Sequence, residues 1–232
     1  MATRVKTINV DGVDVFYREA GDPDRPSILL LHGFPSASHM FRDLIPWLAG
    51  HYHIVAPDLP GFGMTEIKPR DQFAYTFDHI AAVIDRFTEV VGLARFAIYI
   101  FDYGAPVGLR IAARHPQRIG AIITQNGNAY LEGVSEASNP VQAYWASPTD
   151  QNRNALRGFL APETTFFQYT HGVADTSLVS PDGRTFDWSI NGTAHDGAPV
   201  RLAGGAIDVL RRDADGHWRQ LIDLPFGVTT PR

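Results

Sequence analysis

A chain of 232 residues is long enough for one full-sized domain with its own core, or for one domain plus a fragment of another. With 44% hydrophobic and 19% charged residues the composition excludes wholesale disorder, and a net charge of −5 without a long basic run argues against nucleic acid as a partner. Cysteine is absent, which removes disulfides, thiolate metal sites and Cys nucleophiles together.

In chain order, the stretches 5–10 and 13–18 alternate as an antiparallel hairpin joined around Asp11-Gly12. Residues 27–31 are a short apolar run ending in His32-Gly33, as in a buried strand. A helix is expected over 39–48, closed by Gly50, and then a strand over 52–56 that ends at Pro57-Asp58. The spacing of Phe77, Ile80, Ile84, Phe87 and Val91 predicts a helix over 76–91, with Gly92 as its stop. Residues 96–101 are all apolar and read as a central parallel strand, followed by a helix over 105–114 and a strand over 119–124. This alternation of strand and helix predicts a parallel sheet covered on both faces, an α/β fold.

The character then changes twice. Residues 128–182 are polar-aromatic and helical in pieces, for example over 140–145 and 150–160. From 184 onward the pattern is antiparallel: Phe186, Trp188 and Ile190 share one strand face, Ile207 and Val209 another, and Trp218, Gln220, Ile222 and Leu224 a third. With turn signals at Asp196-Gly197 and Asp215-Gly216, a three-stranded β-meander is predicted for the tail. Such a half-sheet leaves an edge and an apolar face to cover, so it is expected to pack on the N-terminal part or on a second copy of the chain.

Three stretches carry chemistry. In Ile100-Phe101-Asp102-Tyr103-Gly104-Ala105-Pro106 a strand turns sharply into a helix, with small residues that allow close packing and a proline suited to the first helical turn. The residue lifted by that turn is an acid, which attacks carbon and suits displacement at an epoxide or alkyl-halide centre. Taken alone, Asp102 could equally be the N-cap of the following helix. Leu31-His32-Gly33-Phe34-Pro35 ends a strand upstream, and its Phe34 N–H, with the Tyr103 N–H, would form a two-donor anion hole. His32 reads as a structural hydrogen-bonder. The third stretch, Ala56-Pro57-Asp58-Leu59-Pro60-Gly61-Phe62-Gly63, is a loop whose glycines permit positive φ.

In this order and spacing the three stretches resemble the α/β-hydrolase superfamily over roughly residues 8–183, and within it the epoxide hydrolase and haloalkane dehalogenase branch. The resemblance implies an Asp nucleophile at Asp102, an anion hole at Phe34 and Tyr103, no metal and no cofactor. Phe34 and Tyr103 bring no side-chain N–H to hold a halide, so an epoxide suits the site better than an alkyl halide. The resemblance also implies a cap from about 128, with Tyr130, Tyr144, Trp145 and Tyr169 as pocket residues and one tyrosine as proton donor. Cap–core packing is the alternative role for each.

The branch completes its mechanism with a His base and an acid that orients it, both expected from the C-terminal third. Here that third resembles instead the last strands of a SnoaL-like or ketosteroid-isomerase-like domain. His217 is the candidate base, although Asp215-Gly216 reads as a hairpin turn and residues 218–224 alternate as a strand; His171 and His195 are weaker candidates. Asp208, Asp223 and Glu132 each have an ordinary structural reading. The chain is therefore read as a hydrolase core (1–127), a partial cap (128–183) and a SnoaL-like β-meander fragment (184–232). The expected activity is hydrolysis of a small apolar epoxide, or less readily an alkyl halide, through an ester on Asp102. The rival readings are a non-turnover hybrid lacking the base and a SnoaL-like binding or isomerase module. A cytoplasmic location is expected, because residues 1–10 lead into a strand and no apolar run reaches the roughly 18 residues of a membrane span.

Overall fold

The computed structural model describes residues 2–130, 133, 134 and 136–179, together with the strands at 189–193, 199–203, 207–212 and 218–224. The first elements are β1 (Arg4–Val10) and β2 (Val13–Ala20), paired antiparallel across Val10 and Val13. Asp11 and Gly12 both take positive φ, 48° and 92°, which gives a two-residue turn whose twist matches that of the strands. After them come β3 (Ser27–Leu31), α1 (Leu44–Leu48), β4 (His53–Pro57), α2 (Phe77–Val90), β5 (Phe96–Phe101), α3 (Gly104–Arg114) and β6 (Ile119–Gln125). The six strands form one mixed sheet in the order β1-β2-β4-β3-β5-β6. The hairpin joins antiparallel through β2 and β4, whereas β4, β3, β5 and β6 run parallel.

Period-two alternation sorts β3 between two cores. Leu29 and Leu31 pack with Ile98, Ile100, Ile84, Phe87, Val107 and Ile111 on the face covered by α2 and α3. Ile28 and Leu30 pack with Ile54, Phe41, Ile45 and Ala49 on the face covered by α1 and the turn before it. Helices on both faces are thus present as expected for buried parallel strands.

The helix expected over 39–48 is instead a 3-10 turn, Ser38–Phe41, and the separate short α1. Pro46 is the reason. It lacks the N–H that a helix entering from residue 42 would need, so the helix begins just ahead of it. In α2 the expected apolar stripe is buried, with Ile80, Ala81, Ile84 and Phe87 inside. Thr76 caps it by accepting the His79 N–H at 3.2 Å, and Gly92 (φ 80°) closes it. We expect Thr76→Ala to lower stability by about 1 kcal/mol, read as a lower denaturant midpoint at unchanged slope.

Contacts divide the chain into two compact units, Met1–Gly133 with Ile190–Val200, and Val134–Ser189 with Arg201–Arg232. The second contains α4 (Asn139–Ala146), α5 (Asp150–Ala155), a 3-10 turn at Leu156–Leu160 and α6 (Pro162–Thr170). These are the helical pieces anticipated over 140–145 and 150–160.

The tail departs from the expected three-stranded meander. Among the described residues it holds β7 (Ser189–Thr193), β8 (Pro199–Ala203), β9 (Ile207–Arg212) and β10 (Trp218–Leu224), arranged as two separate two-stranded sheets. β9 and β10 pair antiparallel with a register shift between Gln220 and Ile222, which interrupts the alternation assumed for 218–224. Alternation alone cannot reveal such a bulge, because the extra residue changes the pairing and not the composition. Phe186, Trp188 and the Asp182-Gly183 junction lie outside the described residues. No helix among the described residues is long and apolar enough to cross a membrane.

Candidate active site

Neighbouring parallel strands β3 and β5 end at the same rim of the sheet, Leu31 opposite Ile100. The crevice beyond the carboxyl ends of such strands is where α/β sheets present ligand-binding groups. Just past β5, Asp102 has φ 46°, in the left-handed region where non-glycine residues are uncommon. The chain then enters α3 at once, with the Ala105 N–H on the Asp102 carbonyl at 2.9 Å. This tight turn is possible because Gly104 has no side chain: a Cβ there would sit 2.4 Å from the Leu31 carbonyl oxygen.

The Asp102 side chain does not cap α3. Its Oδ1 accepts the Tyr103 N–H at 2.6 Å and, from 68 residues away, the Phe34 N–H at 2.7 Å. Two backbone donors from different loops therefore converge on one carboxylate oxygen. Oδ2 has no hydrogen bond among the described residues. Gly33 makes the approach possible, since a Cβ on it would lie 2.4 Å from Asp102 Cβ and 2.6 Å from Oδ1. Asp102 is half-buried. Burial pushes its carboxyl above the ordinary aspartate range, and the two amides together with His32 oppose that rise only in part.

Aromatic rings cluster around Phe34 and Tyr103, the two residues whose amides hold the carboxylate. Phe34 lies 5.5 Å from Tyr103 and 6.4 Å from Phe62 between ring centroids, and Phe77 lies 5.0 Å from Tyr103. Sequence reasoning misses Phe62 and Phe77 at the site. Phe62 stands in the loop that reads as merely permitting positive φ, and the spacing of Phe77 places it on a core stripe. The loop's glycines do take positive φ (Gly61 93°, Gly63 54°), and the same loop is anchored by Asp58. Asp58 is buried and accepts the Ser38 and Met64 N–H groups at 2.7 and 2.8 Å. An acid flanked by Pro57 and Leu59 is the available signal for this anchor.

Of the other predicted site residues, some lie in the second unit and some outside the described residues. Tyr130 belongs to the first unit and is 77% exposed. Tyr144 and Trp145 lie on α4 and Tyr169 on α6, all in the second unit. Within that unit Tyr144 lies near Arg153, whose guanidinium it helps keep protonated, and Trp145 is 58% exposed. His171 stacks on Phe167 at 4.5 Å. Asp208 and Asp223 sit opposite each other in the β9–β10 pair. His217, His195 and Glu132 lie outside the described residues. Among the described residues, no group of three or more His, Asp or Glu is arranged to hold a metal ion.

A family described as alpha/beta hydrolase fold matches residues 26–181. An uncharacterized hydrolase of Saccharomyces cerevisiae is 45% identical over 181 residues, covering 76% of this chain and 62% of that protein. A haloalkane dehalogenase of Mycobacterium marinum is 38% identical over 112 residues, 48% of this chain and 37% of its own length. The chain thus spans under two thirds of either relative. Among solved structures, Cfl2 of Burkholderia cenocepacia is similar with TM-score 0.64 and 26% identity, covering 78% of this chain and 63% of that one. A haloalkane dehalogenase DbeA-M1 loop variant of Bradyrhizobium elkanii is similar with TM-score 0.54 and 27% identity, covering 78% and 56%.

Proposed function

We propose that this chain, which belongs to the α/β-hydrolase fold family, uses the Asp102 carboxylate as a nucleophile toward the carbon of a small apolar epoxide. The observation that carries this reading is the pair of amides on Oδ1, which leaves Oδ2 without a hydrogen bond among the described residues. An acyl-transfer nucleophile needs its anion hole open for the substrate's carbonyl oxygen. Here the hole is filled by an oxygen of the acid itself.

In the first step Oδ2 forms a C–O bond to the epoxide carbon while that carbon's bond to the ring oxygen breaks. The released alkoxide takes a proton from solvent or from a tyrosine of the 128–183 segment. The product is an ester whose carbonyl oxygen, Oδ1, already lies between the Phe34 and Tyr103 amides. In the second step water adds to Cγ, and the negative charge that develops on Oδ1 meets the same two donors. The tetrahedral intermediate then collapses and the Cγ–Oδ2 bond breaks. The diol leaves with Oδ2 and a proton, and Asp102 is restored as a carboxylate with the water's oxygen. This step needs a general base to take the proton from water. His217 is the candidate, and a slow second step is the expected consequence if it does not serve.

The rings of Phe34, Phe62, Phe77 and Tyr103 suit an apolar substrate and offer no N–H to a departing halide. Displacement from an alkyl halide is the second reading, favoured by the names of the relatives. The segment 184–232, read as SnoaL-like, is proposed to take no part in the chemistry other than through His217.

Intact-protein mass spectrometry after incubation with an aryl epoxide or a 1-haloalkane separates the readings. The epoxide should add its whole mass to the protein faster than the haloalkane adds its alkyl group. The reverse order would favour halide displacement, and no adduct from either on folded protein would sink both. The adduct rate should also depend on pH with a definite sign. Only the ionised carboxylate attacks, so the rate falls as pH drops through the folded pKa of Asp102. Because that pKa is raised, half the rate should be lost above the roughly 3.9 of an ordinary aspartate. A midpoint at or below the ordinary value would contradict the burial of the nucleophile.

A further inference from the structure

His32 is completely buried at the end of β3, and both its ring nitrogens are committed. The Leu59 N–H donates to Nε2 at 2.9 Å, and Nδ1 faces the Gly33 carbonyl oxygen at 3.0 Å. A backbone N–H can only donate, so Nε2 is the acceptor and the ring proton sits on Nδ1, donating to Gly33. The Gly33 carbonyl and the Phe34 N–H are opposite ends of one planar peptide. That N–H is the one that donates to Asp102 Oδ1 at 2.7 Å. The bonds therefore run in one direction, from Leu59 N–H through the imidazole and the 33–34 peptide to the carboxylate, and each polarises the next.

We propose that His32 is a positioning residue for the Asp102 reaction: as a neutral Nδ1–H imidazole it orients and polarises the 33–34 peptide, and so sets how strongly Phe34 donates to Asp102. The proposal rests on the reading of Asp102 as nucleophile, and it goes beyond packing. His32 does pack, with its ring 5.4 Å from Phe62, but a ring held only by packing need not direct its proton at the anion-hole peptide. Burial favours the neutral ring as well, outweighing the nearby Asp58 and Asp102 carboxylates and the Gly33 carbonyl. Ser36 Oγ also reaches Gly33 O, at 3.4 Å, too long to replace the imidazole.

Two variants and the native protein test this. His32→Asn places an amide N–H near the position of Nδ1, keeping the donor to Gly33 and losing the acceptor for Leu59. His32→Gln reaches toward Leu59 and leaves Gly33 without its donor. In 15N-labelled protein the Phe34 amide proton should stay near its native shift in His32→Asn and move upfield in His32→Gln. Ester formation on Asp102 should be within about threefold of native in the first and at least about tenfold slower in the second, a fraction of what losing a whole anion-hole donor costs. Equal responses of the two variants, or none in either, would overturn the proposal. Because both variants could fail to fold, the native protein supplies an independent check. Its imidazole 15N spectrum should show His32 as the Nδ1–H tautomer at neutral pH, and an Nε2–H tautomer or an imidazolium would refute the inference. If the amide and imidazole signals behave as expected while no ester forms even in native protein, the Asp102 reading fails and the hydrogen-bond chain stands.

Discussion

Asp102→Ala should abolish the covalent adduct that an epoxide leaves on the native chain. The carboxylate is placed to form that bond: Oδ1 is held between two amides at 2.6 and 2.7 Å, and Oδ2 is left without a partner among the described residues. Asp102→Asn is the better control for folding. Asn tolerates the left-handed φ of 46°, and its amide oxygen can still accept from Phe34 and Tyr103 while being a far weaker nucleophile. It should also remove a carboxyl that burial disfavours, so this variant should be more stable by about 0.5–2 kcal/mol. In native protein the adduct should accumulate, with slow or single turnover. Among the described residues the imidazole beside Asp102 is that of His32, and both its nitrogens are engaged. A missing general base withholds about 10²–10⁴-fold from ester hydrolysis. Sustained turnover without adduct would identify another base, with His217→Ala the first variant to make. An adduct that persists in Asp102→Ala would show that a different side chain is alkylated.

Gly33→Ala should slow ester formation by at least about 10²-fold, the scale of losing one anion-hole donor. The added methyl would stand 2.4 Å from Asp102 Cβ and 2.6 Å from Oδ1, well inside contact distance. Neither partner can yield cheaply. Asp102 is fixed by its turn into α3, and the Gly33 carbonyl is held by His32. Something must separate, and the Phe34 N–H to Oδ1 bond is the link between them. Adduct rates by mass spectrometry, with the fold checked by circular dichroism, decide the matter. A folded Gly33→Ala protein that reacts at the native rate would mean that the Phe34 amide contributes nothing to the step.

Several features arise from local chemistry and are legible in the chain itself. Asp11-Gly12 can adopt the two positive-φ conformations of a hairpin turn, and the structure has them. The three- and four-residue spacing from Phe77 to Phe87 can bury one stripe of a helix, and Gly92 can end it. The strand-to-helix turn at Asp102 needs small residues behind it, and Gly104 and Ala105 supply them. Other features depend on which distant segments meet. Whether Asp102 caps its own helix or faces another loop cannot be read locally, because both readings use the same residue after the same strand; the Phe34 N–H, 68 residues away, decides the geometry. Phe62 enters the site because Asp58 and His32 tie its loop to the end of β3, and no periodicity records such a tie. The tail's pairing likewise turns on a register shift invisible to alternation. Composition and spacing determined the strands, the helices over 77–90 and 104–114 and the hairpin turn of residues 4–125, because local φ, ψ and side-chain period set them, though not the break of 39–48 into a 3-10 turn and a short helix. Tertiary structure alone decided that the Phe34 and Tyr103 amides meet on one oxygen of the carboxylate, because a hydrogen bond between loops exists only once the sheet has brought their strand ends to one rim.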